Sequence, residues 1–163
     1  RYATDYIAER GLRGLPDVPA QKSGKKIAVI GAGPAGLGCA AELARLGHSV
    51  TVLERQKQAG GLNTYGIAYY KMKPQVSLAE VKLVQSLGVE LQTGVAVGQH
   101  VTITELEKAY DALFVGVGLG AASRLHIPGE DLPEVRDALE FISQIHTDPL
   151  HTVPVGHRVA VVG

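Results

Sequence analysis

The run Lys26-Ile27-Ala28-Val29-Ile30-Gly31-Ala32-Gly33-Pro34-Ala35-Gly36 constrains this chain more than any other stretch. A short apolar strand enters a G-x-G-x-x-G turn, and Leu37, Ala40, Ala41 and Ala44 then recur at the spacing of one helix face. Pro34 suits the first helical position, and Gly47-His48 stops the helix. Gly31 permits the tight exit from the strand, Gly33 removes a side chain where a pyrophosphate approaches, and Gly36 lets helix and sheet pack closely. Backbone N–H groups of the helix start, where Pro34 itself has none, then face an anion between Gly33 and Ala35-Gly36. Ser49-Val50-Thr51-Val52-Leu53 reads as a second strand that places Glu54 at its C-terminal end, where an acid accepts hydrogen bonds from an adenosine ribose. The motif binds a dinucleotide and performs no chemistry of its own.

The pattern continues as α/β. A crossover helix is predicted over Ser77 to Leu87, short strands over Val89-Glu90-Leu91 and Val95-Ala96-Val97, and a helix opened by a Thr104-x-x-Glu107 capping box. Ala112 to Val117 reads as a buried strand, Gly118, Gly120 and Pro128-Gly129 break the stretch after it into turns, and Arg136 to Ile145 reads as a helix. The expected fold is a Rossmann-like domain with a central parallel sheet. Tyr2, Tyr6 and Ile7 suggest a short helical arm, giving an arm and linker over 1–24 and the binding domain over 25–150. His157-Arg158-Val159-Ala160-Val161-Val162-Gly163 repeats the strand-to-glycine logic of the first turn. Residues 151–163 are therefore expected to hold a connection and the first strand of a second βαβ unit, with a plain final strand as the alternative.

Sixteen basic and sixteen acidic residues cancel, and the lysines and arginines are scattered, which gives no electrostatic case for nucleic acid or an anionic membrane. Cys39 stands alone, so these residues cannot supply an internal disulfide, a Cys-x-x-Cys pair or a four-thiolate cluster site. A reducing, cytoplasmic setting is expected. No run approaches the roughly eighteen apolar residues of a membrane span.

Other residues invite a ligand role and are better read otherwise. Cys39 lies within the first helix and fits a packing thiol rather than a nucleophile. The six histidines are dispersed, without the spacing of a metal site. Tyr69-Tyr70-Lys71-Met72-Lys73 is too short and isolated to bind a nucleic acid strand.

The array Val29 to Leu37, then Glu54, then Gly60-Gly61-Leu62-Asn63-Thr64-Tyr65-Gly66-Ile67 resembles the FAD domain of the glutamate synthase small subunit and the related flavin half of dihydropyrimidine dehydrogenases. The Asn63 to Ala68 wording is most similar to the bacterial NAD-dependent dihydropyrimidine dehydrogenase subunit. Tyr110 to Gly118 resembles that family's second flavin-contacting strand and turn, and Ile127-Pro128-Gly129-Glu130 its later signature.

The resemblance implies an FAD-binding portion of an NAD(P)H-dependent oxidoreductase. Gly31, Gly33, Pro34, Ala35 and Gly36 would hold the pyrophosphate, Glu54 with the adjacent Arg55 the adenosine end, and Gly61 and Leu62 the inner part of the cofactor. Lys71 would offer positive charge to the phosphates, Val97 would meet the adenine through its backbone, and Gly118 would pass close to the flavin. NADH or NADPH would deliver a hydride to the flavin, and iron-sulfur clusters in a separate region would carry electrons to a catalytic partner that reduces a pyrimidine or forms glutamate. No side-chain acid or base is implied. Two other readings fit the same turn: an NAD(P)-binding piece of a simpler dehydrogenase, and a non-catalytic nucleotide-binding module.

Overall fold

The computed structural model describes Tyr6 and residues 21–120 and 123–162. Strand β1 (Lys26–Ile30) leads into helix α1 (Pro34–Arg45), strand β2 (Ser49–Glu54), a one-turn helix α2 (Leu62–Tyr65) and helix α3 (Pro74–Gln85). Strand β3 (Glu90–Thr93), helix α4 (Ile103–Ala109), strand β4 (Ala112–Val115), helix α5 (Ala138–Thr147) and a 3-10 turn at Leu150–Thr152 complete the order. The four strands form one sheet in the order β3-β2-β1-β4, and every pairing is parallel. The expected Rossmann-like α/β fold is the one adopted.

Sequence dictates which strands lie in the middle. β1 and β2 are aliphatic on both faces and buried along their whole length after the first residue, as strands covered on two sides must be. β3 and β4 are half exposed and form the edges. Val29 and Val52 point to one face with Ala40 and Ala44 of α1 and Val81 of α3; Ile30 and Leu53 join Leu106 of α4 in a second cluster. Burial of Val29 and Val52, both fully enclosed, stabilises the fold by about 1.5–3 kcal/mol each.

The inner face of α1 is Gly36, Ala40 and Ala44, with Leu37, Cys39 and Ala41 half-buried beside it. Small residues at this spacing bring the helix axis close to the sheet. Because β4 lies on the opposite side of β1 from β2, the chain reverses its direction of travel across the sheet between β1 and β4. The carboxyl end of β1 therefore opens into the crevice where such sheets bind ligands.

Several expected elements shift, and each shift has a cause. The capping box is Thr102-x-x-Glu105 rather than Thr104-x-x-Glu107: Thr102 accepts the Glu105 N–H at 3.2 Å and the Glu105 carboxylate accepts the Thr102 N–H at 2.8 Å. That start makes Leu106 the fourth helical residue, buried in the cluster against which Val101 packs. Val95 to Val97 form no strand; Val95 donates to the Glu54 carbonyl at 2.9 Å, where β2 ends, and Val97 makes only an isolated bridge to Val101. Their alternation encodes burial of Val95 and Val97 in the second cluster, not a ladder.

β4 stops at Val115 instead of Val117, because its partner β1 turns away after Ile30 and the bond from Gly116 N–H to the Ile30 carbonyl, 2.8 Å, is the last rung. α3 starts at Pro74, where proline occupies the first turn, and α5 at Ala138, where Asp137 accepts the N–H groups of Leu139 and Glu140. Val159 to Val162 pair with no strand among the described residues and are exposed where described. The expected arm lies outside the described residues except for Tyr6, which is helical and exposed. Among the described residues, no helix is long and apolar enough to cross a membrane.

Candidate functional site

The turn after β1 is built by backbone contacts that exclude side chains. Gly31 sits at φ 99°, and a Cβ there would lie 2.5 Å from the Gly116 carbonyl oxygen. A Cβ on Gly36 would overlap the Gly31 carbonyl oxygen. These two glycines are fixed by packing within the chain, whatever the turn binds.

Gly33 differs. Its backbone is extended, at φ −77° and ψ −179°, and a Cβ would meet nothing closer than the Gly61 Cα at 3.9 Å. The space above Gly33 is open, and it lies at the start of α1, which has no side-chain cap and no acidic residue in its first turn. Pro34 occupies the first position and Ala35 is exposed next to it. An uncapped helix start with its N–H groups directed outward is electrostatically suited to an anion.

Glu54 is 7% exposed, and both of its oxygens are engaged. Oε2 accepts the Ala32 N–H and Oε1 the Gln56 N–H, each at 2.8 Å. A carboxylate oxygen has a second lone pair, so each can accept one more donor from a ligand while keeping its backbone partner. The acid at the end of β2 is thus both an acceptor facing the turn and part of what holds the turn in place.

The second glycine pair is tied to the first turn. Gly60 donates its N–H to the Ala32 carbonyl at 2.7 Å, and Gly61, at φ 56°, brings its position for a Cβ to 2.8 Å from the Gly33 Cα. Beneath it, the buried Thr64 hydroxyl donates to the Ala59 carbonyl at 2.7 Å and accepts from Ser77 at 2.9 Å. Side chains on Gly60 would collide with both hydroxyls. Leu62 opens α2 and leaves 57% of its surface exposed beside this pair.

The structure brings Gly31, Gly33, Pro34, Ala35, Gly36, Glu54, Gly61 and Leu62 into one neighbourhood. Gly118 lies beyond the end of β4, exposed and at φ 73°, with no atom where a Cβ would go. Val97 is half-buried with the second cluster, at the side of the sheet that carries α4. Arg55 and Lys71 lie on exposed stretches outside the turn, the Lys71 ammonium 5.9 Å from the Tyr70 ring centre.

Sequence reasoning missed Ala32, Thr64, Ser77 and Tyr65. Ala32 is fully buried and serves the site through its two backbone groups, so no side-chain signal marks it. The Tyr65 hydroxyl accepts the Gln58 N–H at 2.9 Å; burial and the nearby Glu54 charge push the phenol up, against the lowering effect of that bond. Tyr65 therefore stays neutral and braces the loop after Glu54. None of these groups is a nucleophile poised beside a base. The arrangement is chemically a binding cradle.

The protein-family profile described as pyridine nucleotide-disulphide oxidoreductase matches residues 23–163. The chain is 38% identical over 189 aligned residues to the NADP(+)-dependent formate dehydrogenase subunit beta of Moorella thermoacetica, covering 100% of this chain and 26% of that protein. It is 37% identical over 172 to the glutamate synthase [NADPH] small chain of Halomonas elongata, covering 100% of this chain and 36% of that one. Among solved structures, FprA of Mycobacterium tuberculosis in complex with NADPH is similar at a TM-score of 0.66 and 31% identity, over 74% of this chain and 28% of that one. The chain thus spans between about a quarter and about a third of the length of these relatives.

Proposed function

The chain belongs to the pyridine nucleotide-disulphide oxidoreductase family, and within it we propose that residues 25–150 are the FAD-binding unit of an NAD(P)H-dependent electron-transfer enzyme. The observation that carries this reading is the open space over Gly33, bounded by the uncapped start of α1, by Gly61 and by the doubly anchored Glu54. A long dinucleotide matches that outline: a pyrophosphate where a Cβ finds room, a ribose at a buried acid, and a further segment beside a second glycine pair.

In this proposal Gly31 and Gly36 shape the turn, Gly33, Pro34 and Ala35 border the pyrophosphate, and Glu54, flanked by Arg55, accepts the ribose hydroxyls. Gly61 and Leu62 border the inner part of the cofactor, Lys71 supplies positive charge, Val97 lies on the adenine side, and Gly118 passes the flavin. FAD, when bound, supplies the conversion between hydride transfer and single-electron transfer. The protein's share is to bind, to orient and to keep water from the buried edge; no side chain is asked to move a proton.

The similarity to an NADPH glutamate synthase small chain supports a catalytic partner that consumes the electrons. We assign their route to iron-sulfur clusters outside the described residues and their use to glutamate formation or, on the Asn63 to Ala68 wording, to pyrimidine reduction. Residues 1–24 are proposed as an arm from the cluster region, and 151–163 as the connection to a nicotinamide-binding domain.

The test is the visible spectrum of the purified chain, with anything released on denaturation identified. Oxidised-flavin bands and stoichiometric FAD are expected, and Gly33→Asp should abolish them by placing bulk and negative charge against the pyrophosphate. Failure to take up added FAD, with tight NADH binding instead, would assign the cradle to nicotinamide. FAD retained in Gly33→Asp would remove the phosphates from this turn.

A further inference from the structure

The loop between α2 and α3 is held from a distance. Within it, the Ala68 carbonyl accepts the N–H groups of Lys71 and Met72, at 2.8 and 3.2 Å, which makes a compact turn around Tyr69 and Tyr70. Ahead of that turn, the Ile67 carbonyl lies 2.8 Å from Nε2 of His146, on α5. A carbonyl can only accept, so Nε2 carries the hydrogen and donates it to Ile67. Nδ1 is buried and has no partner among the described residues. The Tyr69 ring packs against the imidazole, with centroids 6.1 Å apart and planes tilted by 34°.

A ring nitrogen without a partner is a poor occupant of a buried position, since an apolar side chain of similar volume would fill the space without stranding a polar atom. Packing therefore does not account for a histidine here. The bond from Nε2 to Ile67 does.

The helix that carries His146 is stabilised at its own start and packs on α2. Asp137 caps its start, the Arg136 guanidinium lies 4.8 Å from the centre of the Phe141 ring and also meets Gln144, and α5 packs on α2. His146 thus ties the loop to a capped helix that packs on α2.

We propose that His146 is a positioning residue that sets the place of the Ile67–Lys71 segment and so tunes FAD affinity. Its contacts are with Ile67 and Tyr69 of the loop. It acts through the loop that carries Lys71, and the inference rests on the FAD reading given above.

The experiment uses the full chain and two readouts: hydrogen-deuterium exchange at the Lys71 and Met72 amides without cofactor, and the dissociation constant for FAD by titration. Glutamine puts an amide N–H where Nε2 lies, whereas asparagine reaches only to the level of Nδ1. His146→Asn should speed exchange at both amides and weaken FAD by roughly three- to tenfold, the worth of one hydrogen bond. His146→Gln should stay within about twofold of the unsubstituted chain on both readouts. His146→Leu keeps the packing, lacks the donor and should behave like His146→Asn, which preserves the test if the asparagine variant misfolds.

Unchanged exchange in His146→Leu overturns the anchor. Faster exchange with unchanged FAD affinity overturns the positioning role and leaves the FAD reading standing. If the unsubstituted chain takes up no FAD, that reading falls and the inference falls with it, while the exchange data still report the anchor by itself.

Discussion

Glu54 Oε2 accepts the backbone N–H of Ala32 at 2.8 Å, so the last residue of β2 clamps the turn that leaves β1. The acid that sequence assigns to a ligand is also part of the architecture. Glu54→Gln turns one acceptor into an amide that faces an N–H, and either Ala32 or Gln56 loses its partner. The ligand-free chain should lose about 1–3 kcal/mol, the cost of stranding a buried donor. Urea unfolding checks this: the midpoint should fall at an unchanged slope. An unchanged midpoint would reduce Glu54 to a ligand contact alone.

Gly36 and Gly33 belong to the same motif and should respond in opposite ways. Gly36→Ala drives a methyl group into the Gly31 carbonyl and should destabilise the ligand-free chain by about 1–3 kcal/mol or more. Gly33→Ala meets only the Gly61 Cα at 3.9 Å, and its backbone is one alanine adopts readily. Its melting temperature should hardly move, while FAD affinity falls. Calorimetry of both variants, with and without FAD, separates shape from contact.

Thr64 supports the second glycine pair through its hydroxyl. Thr64→Val keeps the shape but leaves the Ala59 carbonyl and the Ser77 hydroxyl without their partner, at a cost of about 1–3 kcal/mol. Thr64→Ser restores most of it. Chemical denaturation of the pair is the measurement, and a valine variant more stable than the serine variant would place the value of Thr64 in its methyl group.

Acid should loosen two surface clamps. Glu105 is held below its ordinary 4.5 chiefly by the Thr102 N–H, and Asp111 below its ordinary 3.8 chiefly by the Lys26 N–H and then by Lys25. A depressed carboxylate contributes stability that is present above its unfolded value and is lost as pH falls through the lower folded value. Stability should therefore decline as pH drops below about 4.5, and Glu105→Gln and Asp111→Asn should each flatten that decline while lowering stability at neutral pH. Thermal unfolding across pH tests it; parallel acid profiles would show that other groups govern the loss.

Most of the framework was legible because its signals are local. Lys26 to Ile30 and Ser49 to Leu53 carry short aliphatic runs of the kind interior parallel strands use, and Gly31-x-Gly33-x-x-Gly36 names the turn between strand and helix. Thr102 and Thr104 each begin a Thr-x-x-Glu box, and local sequence cannot rank them; burial of Leu106 against the sheet does. Val95 to Val97 alternate like a strand, but a strand also needs a neighbour along its length, and β2 ends at Glu54, whose carbonyl takes only the Val95 N–H. Ala32 and the pair Thr64 and Ser77 were invisible for a related reason. Their work is done by a backbone and by hydroxyls that meet only after α2 and α3 are docked.

The floor of the turn carries one further consequence. Gly31 and Gly36 pack against the backbone of Gly116, which the chain supplies only after all four strands have been made. The Gly-rich motif is contiguous in sequence, yet its shape is closed by a contact from far along the chain. Such contacts form slowly, because the intervening loop must lose its freedom first. During refolding, competence to bind should arrive with the docking of β4 rather than with the first helix, and a nascent chain halted before Ala112 would display the motif without possessing the cradle.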